Sequence, residues 1–192
     1  MNAQTIPLFP NPILVMDFQG PELAMISEEI EGAMPKINMV VDGSRHMVKT
    51  SYGVAINDIL EHGLFQLKQS IDEAVIKYTQ DVTGEVQPMK ICESWFNEYR
   101  QGGYMSEHEH PGNTVSGVYY HKADEESGNL WFRNPNTLML NGHWPGTLVA
   151  HYKNVPVQAK KGRLVLFPSW MPHSVSTVKS ANSKISISFN LQ

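Results

Sequence analysis

Residues 106–120 read SEHEHPGNTVSGVYY and set two histidines, His108 and His110, one residue apart ahead of a strand-like run. In extended backbone, side chains at i and i+2 share a face, so both imidazoles can converge on one ion while Glu109 points the other way. A third ligand must come from a distant part of the chain. The segment GRLVLFPSWMPH (162–173) offers His173, after an apolar strand and a proline-flanked turn. Imidazole nitrogen suits iron, zinc, copper or nickel, so ligand type alone leaves the metal open. A His-x-His pair in a turn-rich stretch is by itself more often solvated than ligating; the distal Pro-His strengthens the metal reading.

The last strand is a second, independent clue. In SKISISFNLQ (183–192), Ile185, Ile187, Phe189 and Leu191 alternate with Lys184, Ser186, Ser188 and Asn190. A period of two makes a strand with one apolar face. Its polar face either meets water, the commoner case in antiparallel sheets, or lines a cavity. In a cavity, Lys184 and Ser186 could bind a carboxylate through a charge-assisted hydrogen bond and a hydroxyl.

The elements that must position these residues fall into two parts. Leu23, Ile26 and Ile30 recur at helical spacing in 21–34, with Pro21 at the start. A longer helix is expected over 56–82, where Ile56, Leu60, Leu64, Leu67, Ile71 and Val75 keep the same period and Gly63 weakens the middle without breaking it. From about residue 86 the character changes to short β-like runs at 90–99, 114–121, 129–133, 147–152, 163–167 and 184–191. Helices followed by short strands suggest antiparallel sheets with helices packed outside, and a jelly roll or double-stranded β-helix. The expectation is one domain over 1–192, with a helical part at 1–85 and a β-helix core at 86–192. Segment 134–146 reads as a flap beside a pocket. Within 134–151 and just beyond it, His143, Trp144, His151 and Tyr152 are candidate substrate contacts, whereas His62 and His121 read as ordinary helix and strand-end residues.

Composition bounds the rest. Hydrophobic residues make up 41% and charged residues 18% of 192, which fits a soluble globular chain with one core. The net charge is −4 and the longest basic run is Lys160–Lys161, so nucleic acid finds no electrostatic footprint. No apolar run approaches the roughly 18 residues of a membrane span. The opening MNAQTIPLFPNPILVMDF has no basic stretch before its short apolar run, so no signal peptide is expected. Cys92 is the only cysteine, which excludes an intrachain disulfide and points to a cytoplasmic setting. The helical surface leaves a homodimer open.

Four pieces in this order, LFPNPILVMDF, WFNEYRQGGYMSEHEHPGNTVSGVYYH (95–121), SGNLWFRNP (127–135) and GRLVLFPSWMPHSV with KISISFN (162–190), resemble the small bacterial and phage group of 2-oxoglutarate/Fe(II)-dependent oxygenases. The resemblance implies a double-stranded β-helix with iron at one mouth, and O2 and 2-oxoglutarate as cosubstrates. Oxidative decarboxylation of 2-oxoglutarate would be coupled to hydroxylation of an unknown primary substrate, a small molecule or a protein side chain. The first metal histidine falls on His108 and the distal one on His173. The superfamily's carboxylate position falls on His110, so the ligand set is either three histidines or two with water. The cosubstrate-binding cation falls on Lys184, two residues before Ser186; lysine neutralises a carboxylate but lacks arginine's planar fork. Tyr104, Asn113, Ser116 and Tyr119 are further candidate pocket groups. The apolar runs Val165–Phe167 and Trp170–Met171 would keep water out.

Two other readings stand beside this one. A three-histidine cupin dioxygenase without 2-oxoglutarate fits the histidines. A four-ligand cupin does not, because Thr114 and Val115 occupy the places where its glutamate would stand. A non-enzymatic jelly-roll binding module would have no need of a pocket cation such as Lys184.

Overall fold

The computed structural model describes residues 4, 11–42, 47–54, 57–136 and 153–192. Helix α1 (Gly20–Ala33) has Pro21 in its first turn and buries Ile26, Ile30 and Ala33. The long helix expected over 56–82 is two helices, α2 (Asp58–Glu61) and α3 (Phe65–Thr83). Gly63 takes φ 65° between them. That left-handed conformation suits glycine and stops the helix, so the apolar period runs on through a chain that turns. The carboxylate of Glu29 on α1 then accepts from the amides of Gln66 and Leu67 at 2.8–3.2 Å, capping α3 from a neighbouring helix.

The described residues hold eleven strands in two antiparallel sheets, the first ahead of α1 and the others after it. They are β1 (Leu14–Asp17), β2 (Val40–Val41), β3 (Val48–Thr50), β4 (Ile91–Tyr99), β5 (Met105–His108), β6 (Val115–Lys122), β7 (Asn129–Arg133), β8 (Asn154–Gln158), β9 (Arg163–Pro168), β10 (His173–Val175) and β11 (Lys184–Leu191). The larger sheet has the order β1-β9-β6-β11-β4-β3-β2, and the smaller β5-β10-β7-β8. Sequence periodicity anticipates β4, β6, β7, β9 and β11. It misses β1, β2, β3, β5 and β10, which are four residues or shorter and show no period, and it also misses β8. The expected strand 147–152 and most of the flap lie outside the described residues, as do His143, Trp144, His151 and Tyr152.

The two faces of the larger sheet do different work. Ile185, Ile187, Phe189 and Leu191 of β11 join Phe96, Tyr119, Leu164 and Leu166 against Ile26, Ile30, Leu67 and Ile71 of the helices. The other face turns toward the smaller sheet, where Val118, Tyr120, Val165 and Phe167 meet Leu130, Phe132 and Met171. Gly117 on β6 allows the helix-side packing: a Cβ there would stand 2.3 Å from the Phe189 ring and 2.8 Å from Leu166. At the sheet edge, Arg163 and Asp17 pair in register and form a bidentate ion pair at 2.6 and 2.8 Å. Among the described residues, no helix is long and apolar enough to cross a membrane.

Candidate metal and cosubstrate site

The three histidines meet because β10 lies between β5 and β7. His173 stands opposite His108 in one ladder and opposite Phe132 in the other. His110, two residues beyond His108, is pinned through its backbone amide, which donates to the Ser169 carbonyl at 2.9 Å. Ring centroids are 4.3 Å apart for His108 and His173, and 5.1 Å for each pair that includes His110. One ligand atom from each lies within 4.8 Å of the other two.

Their protonation is set by what surrounds them. The Nδ1 of His108 lies 2.8 Å from the Ser106 carbonyl, and that of His173 lies 2.9 Å from the Met171 carbonyl. A carbonyl only accepts, so each Nδ1 carries the proton and each Nε2 presents its lone pair. His173 is buried, with Phe167 edge-on at 4.7 Å between centroids. Burial, with the neighbouring His108 adding to it, holds the His173 pKa down at about 3. A neutral imidazole is the form that binds a metal.

The histidines open onto a cavity of about 430 Å³ between the sheets. Its polar wall is β11: Lys184, Ser186 and Ser188 all line it. The polar stripe of the last strand therefore faces a cavity, and its apolar stripe faces the helices. Lys184 is 1% exposed, and no carboxylate pairs with it among the described residues. Burial pulls its pKa down to about 7. Its Nζ lies 4.4 Å from the centre of the Tyr99 ring, a cation–π contact that offsets part of the desolvation. Beside it, Asn97 Nδ2 donates to Ser188 Oγ at 3.2 Å, and Thr50 Oγ1 donates to Asn97 Oδ1 at 2.9 Å. Trp95 lies 5.8 Å from the His110 ring, and the half-exposed Tyr52 packs edge-on against Trp95 at 5.1 Å.

Four of the candidate pocket residues lie elsewhere. Tyr104 is exposed and off the cavity. Asn113 Oδ1 accepts from Cys92 Sγ at 3.2 Å and from Gln192 Nε2 at 3.3 Å. Ser116 Oγ donates to Asn190 Oδ1 and shares a contact with Ser169 Oγ, both at 2.8 Å, tying strand ends together. Tyr119 has the wrong parity on β6: Val118 and Tyr120 line the cavity, while the Tyr119 ring packs near Phe18 on the helix side. Sequence reasoning missed Tyr52, Trp95, Asn97, Tyr99, Tyr120 and Ser188. Ser188 shares the stripe of Lys184 and was legible. On β4, the cavity face carries Trp95, Asn97 and Tyr99 while Phe96 faces the core, and this mixture hides the alternation.

A jelly roll with three histidines and a buried lysine around one cavity is an arrangement able to take a metal ion and an anionic cosubstrate. Residues 93–190 match the family described as "Putative 2OG-Fe(II) oxygenase", and the chain belongs to that family. It is a 2-oxoglutarate/Fe(II)-dependent oxygenase, with Fe(II), 2-oxoglutarate and O2 as its cofactor and cosubstrates. The cupin and binding-module readings fall away. No curated protein sequence matches the chain.

Solved structures share the fold at low identity. HygX from Streptomyces hygroscopicus, solved with nickel and 2-oxoglutarate, is 12% identical with a TM-score of 0.63, covering 94% of this chain and 82% of its own. A prolyl hydroxylase from Trichoplax adhaerens, in complex with a hypoxia inducible factor peptide, is 16% identical with a TM-score of 0.63, covering 94% and 83%. A prolyl-4-hydroxylase from Pseudomonas putida is 14% identical with a TM-score of 0.60, covering 95% and 92%.

The residues present fit the family's metal. Three imidazoles within ligating distance of one another, two with Nε2 lone pairs fixed by carbonyls behind them, make a nitrogen donor set that suits iron. Among the described residues that donor set has no carboxylate.

Proposed function

We propose that His108, His110 and His173 hold Fe(II), and that Lys184 with Ser186 holds the far carboxylate of 2-oxoglutarate. The observation that carries this reading is the buried Lys184, unpaired with any carboxylate among the described residues, on the wall of the cavity that the histidines share. A cation in that position is stabilised by an incoming carboxylate. Imidazole binds a metal as a neutral donor, so three of them suit this cosubstrate: the charges of a divalent ion and a dicarboxylate then cancel.

Fe(II) and 2-oxoglutarate, once bound there, would supply with O2 the oxidising power to hydroxylate an unactivated C–H bond. The protein's own residues do the positioning. Ser106 and Met171 orient two ligand rings through their carbonyls. Phe167, Val118 and Leu130 exclude water on the inner side. The primary substrate, a small molecule or a protein side chain, approaches past Tyr52 and Trp95, the aromatic wall beside His110. Support for either substrate size comes from the relatives: HygX has also been solved with hygromycin B bound, and the prolyl hydroxylase with a peptide.

Anaerobic addition of Fe(II) and then 2-oxoglutarate to the purified protein tests this reading. A weak visible charge-transfer band is expected, and Lys184→Ala should weaken 2-oxoglutarate binding at least tenfold. Confirmed Fe(II) binding with no band would sink it.

A further inference from the structure

On the outer side of the larger sheet, DILEH (58–62) brings together Asp58, Glu61 and His62, with one ligand atom from each within 4.8 Å of the others. Asp58 is fully buried. Its Oδ2 accepts a hydrogen bond from Ser51 Oγ, which in turn accepts from the Phe96 amide at 2.8 Å. The Ile59 amide donates to Ser94 Oγ at 2.9 Å, so α2 is held rigidly against β4. The other oxygen, Oδ1, accepts no hydrogen bond among the described residues. It faces His62 Nε2 at 3.4 Å, while the His62 side chain is 19% exposed and Glu61 is exposed at the rim.

A buried carboxylate oxygen left without a donor costs stability unless a positive charge reaches it. His62 Nε2 stands at an ion-pair distance of 3.4 Å from Oδ1 with no hydrogen bond between them. That separation is also the one a shared ion would set. In a tetrahedral site with nitrogen and oxygen bonds of about 2.0–2.1 Å, two ligand atoms stand roughly 3.3–3.4 Å apart. Aspartate, glutamate and histidine are together a borderline donor set suited to zinc-class ions.

We propose that Asp58, Glu61 and His62 form a second cation site, separate from the three histidines, that takes one zinc-class divalent ion with solvent as the fourth ligand. The buried Asp58 Oδ1 and His62 Nε2 provide the fixed edge, and the exposed Glu61 closes from solvent. The Ser51 hydroxyl behind Asp58 orients the carboxylate as an outer hydrogen-bond partner. The ion thereby clamps α2 to the strand that carries Trp95.

Equilibrium dialysis of the full chain against Zn²⁺, with Co²⁺ absorption as the geometric readout, tests the proposal. One equivalent of zinc and a four-coordinate Co²⁺ spectrum should persist in His173→Ala, and both should be lost when His62→Ala is added to His173→Ala. Glu61→Gln, an exposed change that leaves the core untouched, should weaken that equivalent at least tenfold while far-UV circular dichroism stays unchanged. Loss of all zinc in folded His173→Ala would overturn the proposal. So would an undiminished equivalent of zinc when Glu61→Gln or His62→Ala is added to His173→Ala. In either case Asp58 and His62 are a structural pair only.

Discussion

Lys184 and Tyr99 are cross-strand partners in the β11–β4 ladder, and the lysine Nζ lies 4.4 Å from the centre of the tyrosine ring. The pairing places a buried cation on an aromatic face with no carboxylate to meet it among the described residues. The folded chain therefore disfavours protonated Lys184, whose pKa stands at about 7 against an ordinary 10.5. Between those values the unfolded chain binds more protons than the folded one, so this group's contribution is full above pH 10.5 and is lost as pH falls through 7. Thermal melts of the metal-free protein should show the Lys184 contribution as a rise in Tm from pH 7 to 10. Lys184→Met should remove that rise. Saturating 2-oxoglutarate should also flatten it, since a bound carboxylate restores the ordinary pKa.

The family resemblance puts His110 where the superfamily commonly has a carboxylate, and its ring lies as close to His173 as to His108. Removing an outer partner of a metal ligand costs 10–100-fold in affinity, and removing a ligand costs at least as much. His110→Ala should therefore lower Fe(II) affinity more than tenfold in an anaerobic chelator competition. His110→Asp should keep it within about tenfold of wild type. Equal affinity for His110→Ala and wild type would mean that only two histidines hold the metal.

Gly117→Ala tests the helix-side packing. The added methyl would stand 2.3 Å from a Phe189 ring that is itself fully buried. Overpacking of this kind costs about 1–3 kcal/mol. Urea unfolding should show a lower midpoint with an unchanged slope.

Asp17 gives the acid limb. The Arg163 guanidinium, with Lys160 behind it, holds the Asp17 carboxyl down at about 2 against an ordinary 3.8. Its contribution is present above pH 3.8 and lost as pH falls through 2. Because the pair is partly solvated, it is worth only about 1 kcal/mol. Asp17→Asn should lower stability by that amount at pH 7 and by only a small part of it at pH 2, as read by urea midpoints.

Local patterns were legible in the chain. His108 and His110 share a face because extended backbone repeats every two residues, and the alternation of 184–191 fixes one apolar and one polar stripe by the same rule. Helix α1 follows from its apolar spacing and Pro21. The order of motifs that carries the family resemblance is likewise a property of the chain, and with it came the pairing of His173 and Lys184 with the His-x-His segment.

The tertiary structure decided which face meets what. The polar stripe of β11 lines a cavity because a second sheet closes over it; an identical strand with nothing above it would turn those groups to water. The parity of β6 and β4 was settled the same way, sending Tyr119 toward the helices and bringing Trp95, Asn97 and Tyr99 to the cavity. Gly63 ends a helix that periodicity would continue, since the backbone there is left-handed and side-chain spacing does not report φ. His173 lies opposite His108 because a three-residue strand pairs on both sides, a long-range contact that no local period encodes.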